Sequence, residues 1–349
     1  MRILLLPISF LYHIVLAIRH KLYDWRILKT TQFEHAVICV GNLNLGGTGK
    51  TPHTEYLIRL LKGDFHVATL SRGYGRKNKG FKRAENTSTC EDLGDEPMQY
   101  FRKFKDIQVA VGEDRVNGVR KLLMSHNAPD VVLLDDAFQH RSIKAGLNIL
   151  LTEYKHLYTE DHLIPAGTLR DIRSSSKRAD IIVVSKAPKD LDEASKTNVV
   201  TRLKPHKHQR VFFSYLDYAP LQPLNEKAGT VAAEDADSVL AICGIANPTP
   251  FFEALEKHYK AVVPLPFADH HVYTKEDVEE IMKRYENLGA GKKIIVTTEK
   301  DAARLTNSPY FCQFECAPLY DWPIMVRFHE EEKFNEEILN YVRQNLHHC

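Results

Sequence analysis

Past residue 35 the chain alternates short apolar runs with longer stretches whose apolar residues recur at helical spacing. The runs HAVICV (35–40), HVATL (66–70), IQVAV (107–111), VVLL (131–134), LNILLT (147–152) and DIIVVS (180–185) are nearly continuous in apolar character. Such runs predict strands covered on both faces, and their alternation with helices predicts a mainly parallel sheet. Helices are predicted from about Pro52 (TEYLIRLLK) and over 115–124. Between about 205 and 237 the pattern breaks: VFFSYLDYAPLQPL is extended and Pro-interrupted, NEKAGTVAAEDADS is polar, and together they predict a connector between domains, either plain extended chain or a β-ribbon. A second alternation follows, with SVLAICG, AVVPLPF and KKIIVTT as strands. Its helices are PTPFFEALEKHY, KEDVEEIMKRYENLG (ending in Gly289) and a last one, FNEEILNYVRQNL. The predicted organisation is an N-terminal helical segment over 1–34, a P-loop-type domain over 35–220, and a smaller α/β domain with its connector over 221–349.

The N-terminal run ILLLPISFLYHIVLAI (3–18) precedes Arg19, His20, Lys21 and Arg26. As a helix it reaches roughly 24 Å, short of a hydrocarbon core of about 30 Å. A signal peptide is disfavoured, because Arg2 alone forms the basic region and no small-x-small site follows. Two readings stay open: a helix lying in a membrane interface with its cationic end on anionic headgroups, or a helix packed on the core.

Composition narrows the field. Over 349 residues, 44% are hydrophobic and the net charge is +2. That is enough apolar material for a large core in about two domains, and too little charge for a polyanion binder, so no nucleic-acid partner is expected. Cys39 and Cys243 lie inside apolar runs, the pattern of reduced buried thiols rather than of a disulfide framework.

The first strand runs into GNLNLGGTGKTP (41–52). The segment from Asn44 to Thr51 follows the P-loop pattern, with Asn in place of the first Gly. Gly46, Gly47 and Gly49 allow backbone N–H groups, with that of Thr48 among them, to converge on an anion, and the following helix adds its positive end. Lys50 would reach the β- and γ-phosphates and Thr51 would ligate Mg²⁺. Leu45 stands where partition-type ATPases carry a second lysine, which argues against that sub-class. The strand 131–134 ends in Asp135-Asp136, the acidic strand end that a P-loop requires for its metal ion; a simple strand-to-turn boundary is the competing reading.

Other polar sites are less decided by spacing. Asp95 and Glu96 precede Pro97, where they either cap a helix or offer a base at the sheet edge. The segment 71–83 collects Arg72, Arg76, Lys77, Lys79, Lys82 and Arg83 with two aromatics: a solvated loop, or a clamp on an anionic, partly apolar substrate. Asp269-His270-His271 allows a carboxylate-oriented imidazole. Thr297 to Asp301, and Ser185-Lys186, faintly suggest base-reading loops.

Together GNLNLGGTGKTP (41–52), SRGYGR (71–76), GDEP (94–97), DDAFQHR (135–141), LIPAGTLRD (163–171), CGIANP (243–248), FADHH (267–271) and TTEKDAARL (297–305) resemble the tetraacyldisaccharide 4′-kinase family, in family order and over nearly the whole chain. The resemblance implies an α/β fold, with a P-loop NTPase-like three-layer domain, a second smaller domain and a membrane-associated N-terminal helix. It implies ATP and Mg²⁺ as cofactors, and tetraacyldisaccharide 1-phosphate, phosphorylated on its 4′-hydroxyl, as the lipid substrate. It places the protein, as a monomer, at the cytoplasmic face of the inner membrane. Residue by residue, it implies Lys50 and Thr51 in the P-loop, Asp95 as general base, His270 supporting that base from the other domain, and Asp136 in catalysis. Glu96, Asp135, Asp136 and Gln139 match residues around Mg²⁺ and the phosphates, while Arg72, Arg76, His140 and Arg170 match substrate- or phosphate-contacting positions. Asn44, Ala137, Thr168 and Asp171 depart from the common pattern without removing a needed charge. Two rival readings are a membrane-tethered P-loop NTPase switch, which makes no phosphorylated lipid, and a P-loop kinase of a soluble metabolite, which is indifferent to residues 1–20.

Overall fold

The computed structural model describes residues 5–230, 232–269 and 271–346. The chain divides into two compact units, one built from Met1–Leu216 and Val326–Cys349, the other from Asp217–Met325. The second is therefore an insertion in the first. The chain leaves along the strand Arg210–Tyr218 and returns along Ile324–Phe328, which are neighbours at one edge of the larger sheet.

That sheet runs in the order Ile324–Phe328, Arg210–Tyr218, Ile181–Ser185, Leu147–Glu153, Ala36–Asn42, Val131–Asp135, Val67–Ser71, Gln108–Val111 and Lys82–Arg83. The central pairs are parallel, with Val37 opposite Val132 and Ile149 opposite Ile181. The short strand Lys82–Arg83 pairs antiparallel at the far edge. Every residue of Ala36–Asn42 is buried. Its side chains alternate between two cores, as strand geometry demands. Ala36, Ile38 and Val40 join Leu57, Ile58 and Leu61 of the helix Lys50–Leu61. Val37 and Cys39 join Val119 and Leu122 of the helix Arg115–Leu123. Two buried faces explain why the strands read as unbroken apolar runs. Burial pushes the Cys39 thiol up to about 12, the state of an inert core thiol.

Two expectations need correction. The segment read as the start of a connector is a strand: Arg210–Tyr218 pairs in parallel with Ile181–Ser185, Val211 opposite Ile182. It lies second from the edge, inside Ile324–Phe328, and only its Phe212, Phe213 and Ser214 are fully buried, so its apolar run is weaker than those of the central strands. The last helix, Glu331–Gln344, does not belong to the inserted unit. Phe334, Ile338 and Val342 pack with Ile38 and Leu133 in the core of the first. Phe334 stacks on Phe328 with ring centroids 3.9 Å apart.

The inserted unit has its own sheet, ordered Gln222–Pro223, Leu319–Trp322, Lys293–Thr298, Ser238–Cys243 and Ala261–Pro266. Its inner pairs are parallel, and it has its own cores around Val239 and Val296, and around Leu240 and Ile295.

The helix Leu6–Asp24 is part of the first unit. Its Ser9, Leu16 and His20 are buried against it, while Ile8, Phe10, Leu11, Val15 and Ile18 are more than half exposed. Among the described residues, no helix is long and apolar enough to cross a membrane.

Candidate active site

The C-terminal ends of the parallel strands gather the polar motifs at one edge, where open α/β sheets place their ligands. The strand Ala36–Asn42 enters the loop through Gly41. A Cβ there would stand 2.6 Å from the Cβ of Phe138, so only glycine lets the P-loop pass this close to the loop after the acidic strand. Gly46, Gly47 and Gly49 take left-handed φ angles of 70°, 69° and 82°, and Gly49 is the N-cap of the helix Lys50–Leu61. Asn42 organises the loop from beneath. Its Nδ2 donates to the Gly46 carbonyl (3.2 Å) and to Thr48 Oγ1 (2.9 Å). The Ser185 hydroxyl donates to the Thr48 carbonyl at 2.9 Å.

His53, one turn into the helix, is buried with its ring nitrogens 2.7 Å from the Gly49 carbonyl and 2.9 Å from Ser214 Oγ. Burial brings it down to about 4, so at neutral pH it is an uncharged bracket under the loop.

The acids sit opposite. Asp135 ends its strand fully inside, accepting from Ser71 Oγ and Tyr100 Oη, each at 3.3 Å. Burial, reinforced by the neighbouring Asp136 and Glu96 carboxylates, raises it to about 6. Its Oδ1 is buried without a hydrogen-bond partner. Asp136 is left-handed, at φ 51°, a conformation that costs a non-glycine residue on the order of 1–3 kcal/mol. Strong partners hold it. Arg170 grips it with both terminal nitrogens, Nη1 to Oδ2 at 3.1 Å, and Lys50 Nζ lies 3.8 Å from Oδ2. Burial disfavours the Asp136 charge, but Arg170 and Lys50 outweigh it and hold the carboxyl below its usual range. Arg170 also donates to Asn42 Oδ1 at 2.6 Å, with Lys50 3.5 Å from the same atom. Gln139 Nε2 donates to the Asn42 carbonyl at 2.7 Å. The P-loop, the DDAFQHR loop and LIPAGTLRD are thus bound together through Asn42, which sequence reasoning did not single out.

A second layer is cationic. Burial, then the charges of Arg115 and Arg72, push His140 down to about 4, so it stands as a neutral imidazole. Arg115 is 1% exposed, and its Nε and Nη2 have no hydrogen-bond partner. Burial lowers it toward about 10, opposed first by the charges of Asp135 and Asp136. It entered the sequence reading only as the start of a helix. Its place just past the strand Gln108–Val111, at the sheet edge that carries ligands, was the available signal.

The remaining expected residues divide. SRGYGR and GDEP meet: a Cβ on Gly94 would stand 2.7 Å from the Tyr74 carbonyl. Gly94 caps the helix Asp95–Lys103, so Asp95 and Glu96 occupy its first turn, both half-buried. Arg76 is turned into its own loop, donating to Glu113 Oε1 (2.5 Å) and to the Gly80 carbonyl (2.6 Å) with its side chain 3% exposed. That engagement orders the basic loop, and the geometry gives Arg76 no open face for a substrate. Thr51 lies in the first turn of the P-loop helix, where the pattern placed it.

In the inserted unit, CGIANP and TTEKD fold onto each other. Asp301, fully buried, accepts from the Gly244 N–H (2.9 Å) and Thr298 Oγ1 (2.7 Å), and Arg304 Nη1 donates to the Gly244 carbonyl at 3.1 Å. Thr298 is a helix N-cap and Asp301 its partner in the first turn, so this motif holds the loop at Gly244 in place. His271 Nε2 lies 2.8 Å from Asp277 Oδ2. His270 lies outside the described residues.

The arrangement fits a nucleotide phosphate chain on the loop, with a divalent cation at the acids. Asp135 Oδ1 is buried without a hydrogen-bond partner and feels the charges of Asp136 and Glu96, and an unsatisfied carboxylate oxygen suits a hard cation, although among the described residues no three such groups stand close enough to form a ready cage. The profile of the tetraacyldisaccharide-1-P 4′-kinase family matches residues 1–343. The chain belongs to this family. Tetraacyldisaccharide 4′-kinases that it resembles include that of Flavobacterium johnsoniae, 45% identical over 99% of this chain and 98% of the relative, and that of Phocaeicola vulgatus, 42% identical over 98% and 95%. Among solved structures it is similar to the "apo" form of LpxK from Aquifex aeolicus in complex with ATP. That likeness has a TM-score of 0.76 and 28% identity, and covers 99% of each chain. Membership extends over both units and the N-terminal helix, so the insertion is a family feature rather than an appended domain.

Proposed function

We infer that this chain transfers the γ-phosphoryl group of ATP to the 4′-hydroxyl of tetraacyldisaccharide 1-phosphate, a step in lipid A biosynthesis. The observation that carries the reading is the joint held by Asn42, Lys50, Arg170 and Asp136 in a member of this family, because it sets cations and acids on both sides of a P-loop. The backbone of 46–49 and Lys50 bind the β- and γ-phosphates. Thr51, Asp135 and Asp136, with Glu96 and Gln139 close by, would hold Mg²⁺, which supplies charge neutralisation on the transferred group. Asp95 takes the proton of the sugar hydroxyl. Arg72 and Arg170, with the neutral His140, offer hydrogen bonds and positive charge to the anionic substrate.

We place the protein at the cytoplasmic face of the inner membrane, its helix Leu6–Asp24 lying in the interface. The exposed apolar side chains of Phe10, Leu11, Val15 and Ile18 support this, as does the cationic end at Arg19 and Lys21. The test is incubation with ATP, Mg²⁺ and the disaccharide 1-phosphate in detergent micelles, scored by mass spectrometry. One added phosphate is expected. ATP hydrolysis without a phosphorylated lipid would favour the NTPase-switch reading. In a parallel arm, the F10E/L11E/V15E variant should no longer sediment with anionic vesicles; unchanged sedimentation would remove the helix from the interface.

A further inference from the structure

The N-terminal helix reaches the candidate active site through polar side chains that end on the two loops carrying site residues. Ser9 Oγ donates to the Leu163 carbonyl (2.9 Å) and accepts from the Ala166 N–H (3.0 Å). Tyr12 Oη donates to the carbonyl of Arg170 itself (3.2 Å). His20 Nε2 lies 2.6 Å from Oδ1 of Asp171, the next residue, whose side chain is 1% exposed. The Ile172 N–H (2.8 Å), Ser175 Oγ (3.0 Å) and Arg178 Nη2 (3.3 Å) also donate to that carboxylate. On the other loop, Arg19 donates to the Gln139 carbonyl (3.2 Å), and Arg141 returns to the His20 carbonyl (2.9 Å) and to Asp24 (2.8 Å). Arg170 and Gln139 are the residues whose side chains hold Asp136 and Asn42. An anchor that only packed would need apolar contacts. Bonds aimed at the backbones of site residues fix where those residues stand.

We propose that the helix Leu6–Asp24 is a structural part of the phosphoryl-transfer site, with the buried His20–Asp171 pair as the joint that sets Arg170 against Asp136. His20 is a positioning residue that acts through Arg170. A short hydrogen bond to a buried carboxylate holds direction as well as distance. Losing it leaves Asp171 with fewer partners and frees the backbone that carries Arg170, and a shift of roughly 1 Å at a working group can cost on the order of 10²-fold in rate.

The proposal rests on Arg170 being a working group of the site. The experiment uses the full chain with ATP, Mg²⁺ and the disaccharide 1-phosphate in micelles, comparing His20→Ala, His20→Gln, Arg170→Lys, Arg170→Ala and the H20A/R170K double variant. His20→Ala should lower kcat about 10-fold, with ATP affinity kept and the protein still folded at the assay temperature by thermal melt. His20→Gln, which restores a donor near Nε2, should recover most of the loss. The double variant should be no slower than Arg170→Lys alone. Multiplicative losses in the double variant, unchanged turnover in His20→Ala, or a loss that follows the unfolded fraction would overturn the joint alone. Full activity of Arg170→Ala would overturn the reading of the site and the joint with it. If Arg170→Lys is inactive, the split between kcat and ATP affinity and the glutamine recovery decide the matter.

Discussion

Asp95→Ala is expected to lower kcat about 10²–10⁴-fold while ATP still binds. The position explains the size. Asp95 opens the helix Asp95–Lys103 just after Gly94, whose φ of 90° lets the chain turn under the Tyr74 carbonyl. The carboxylate is thereby carried on the sheet edge that holds the acids and the P-loop, next to the loop bearing Arg72. Glu96, the next residue, differs in its surroundings: its charge helps to raise the buried Asp135 carboxyl. Asp95→Asn keeps the shape and removes the basicity, so it should lose as much as alanine. Nucleotide titration separates chemistry from binding, because the expected change in ATP affinity is small. Turnover within a few-fold of the parent in both variants would take the proton-accepting role away from Asp95.

Lys50→Ala is expected to lower kcat/KM for ATP by about 10²–10³-fold, the scale of losing one preorganised donor at developing charge. Lys50 has two duties. In the proposed reaction it meets the phosphates from the first turn of its helix, and it stands 3.8 Å from Asp136 and 3.5 Å from Asn42 Oδ1. Its removal takes a charge from the ligand and a counter-charge from an acid already strained at φ 51°. Lys50→Arg should recover only part, since a planar fork cannot occupy the space of a compact ammonium. The measurement is initial rate against ATP at saturating lipid. A change under about 3-fold would mean the loop binds its anion through backbone groups alone.

Much of the fold was readable because its central strands are buried twice. A strand covered on both faces reads as a nearly continuous apolar run, and residues 36–40, 131–134 and 181–184 do. The phosphate loop was readable for a similar local reason: left-handed φ at 46, 47 and 49 demands glycine at those positions. The strand Arg210–Tyr218 was read only as extended connecting chain, because burial is complete for just Phe212, Phe213 and Ser214 along it and its apolar run is correspondingly short. The final helix was assigned to the wrong unit because Phe334, Ile338 and Val342 declare a face that must be buried and not which sheet will bury it.

By itself, then, the sequence determined what depends on neighbours along the chain: strand and helix periods, the glycine-shaped loop, acids at a strand end, and an apolar N-terminal run too short to span a bilayer. Only the tertiary structure decided what depends on groups far apart in sequence. Asn42 became the hub of three loops because Arg170 and Gln139 arrive beside it. Arg76 was drawn to Glu113 and Gly80, away from an open face. The N-terminal helix divided its sides, apolar residues outward and Ser9, Tyr12 and His20 onto the loops of the site. The physical reason is common to all three. A polar side chain's role is set by the partner that satisfies it once water is excluded, and that partner is chosen by the packing of the whole unit.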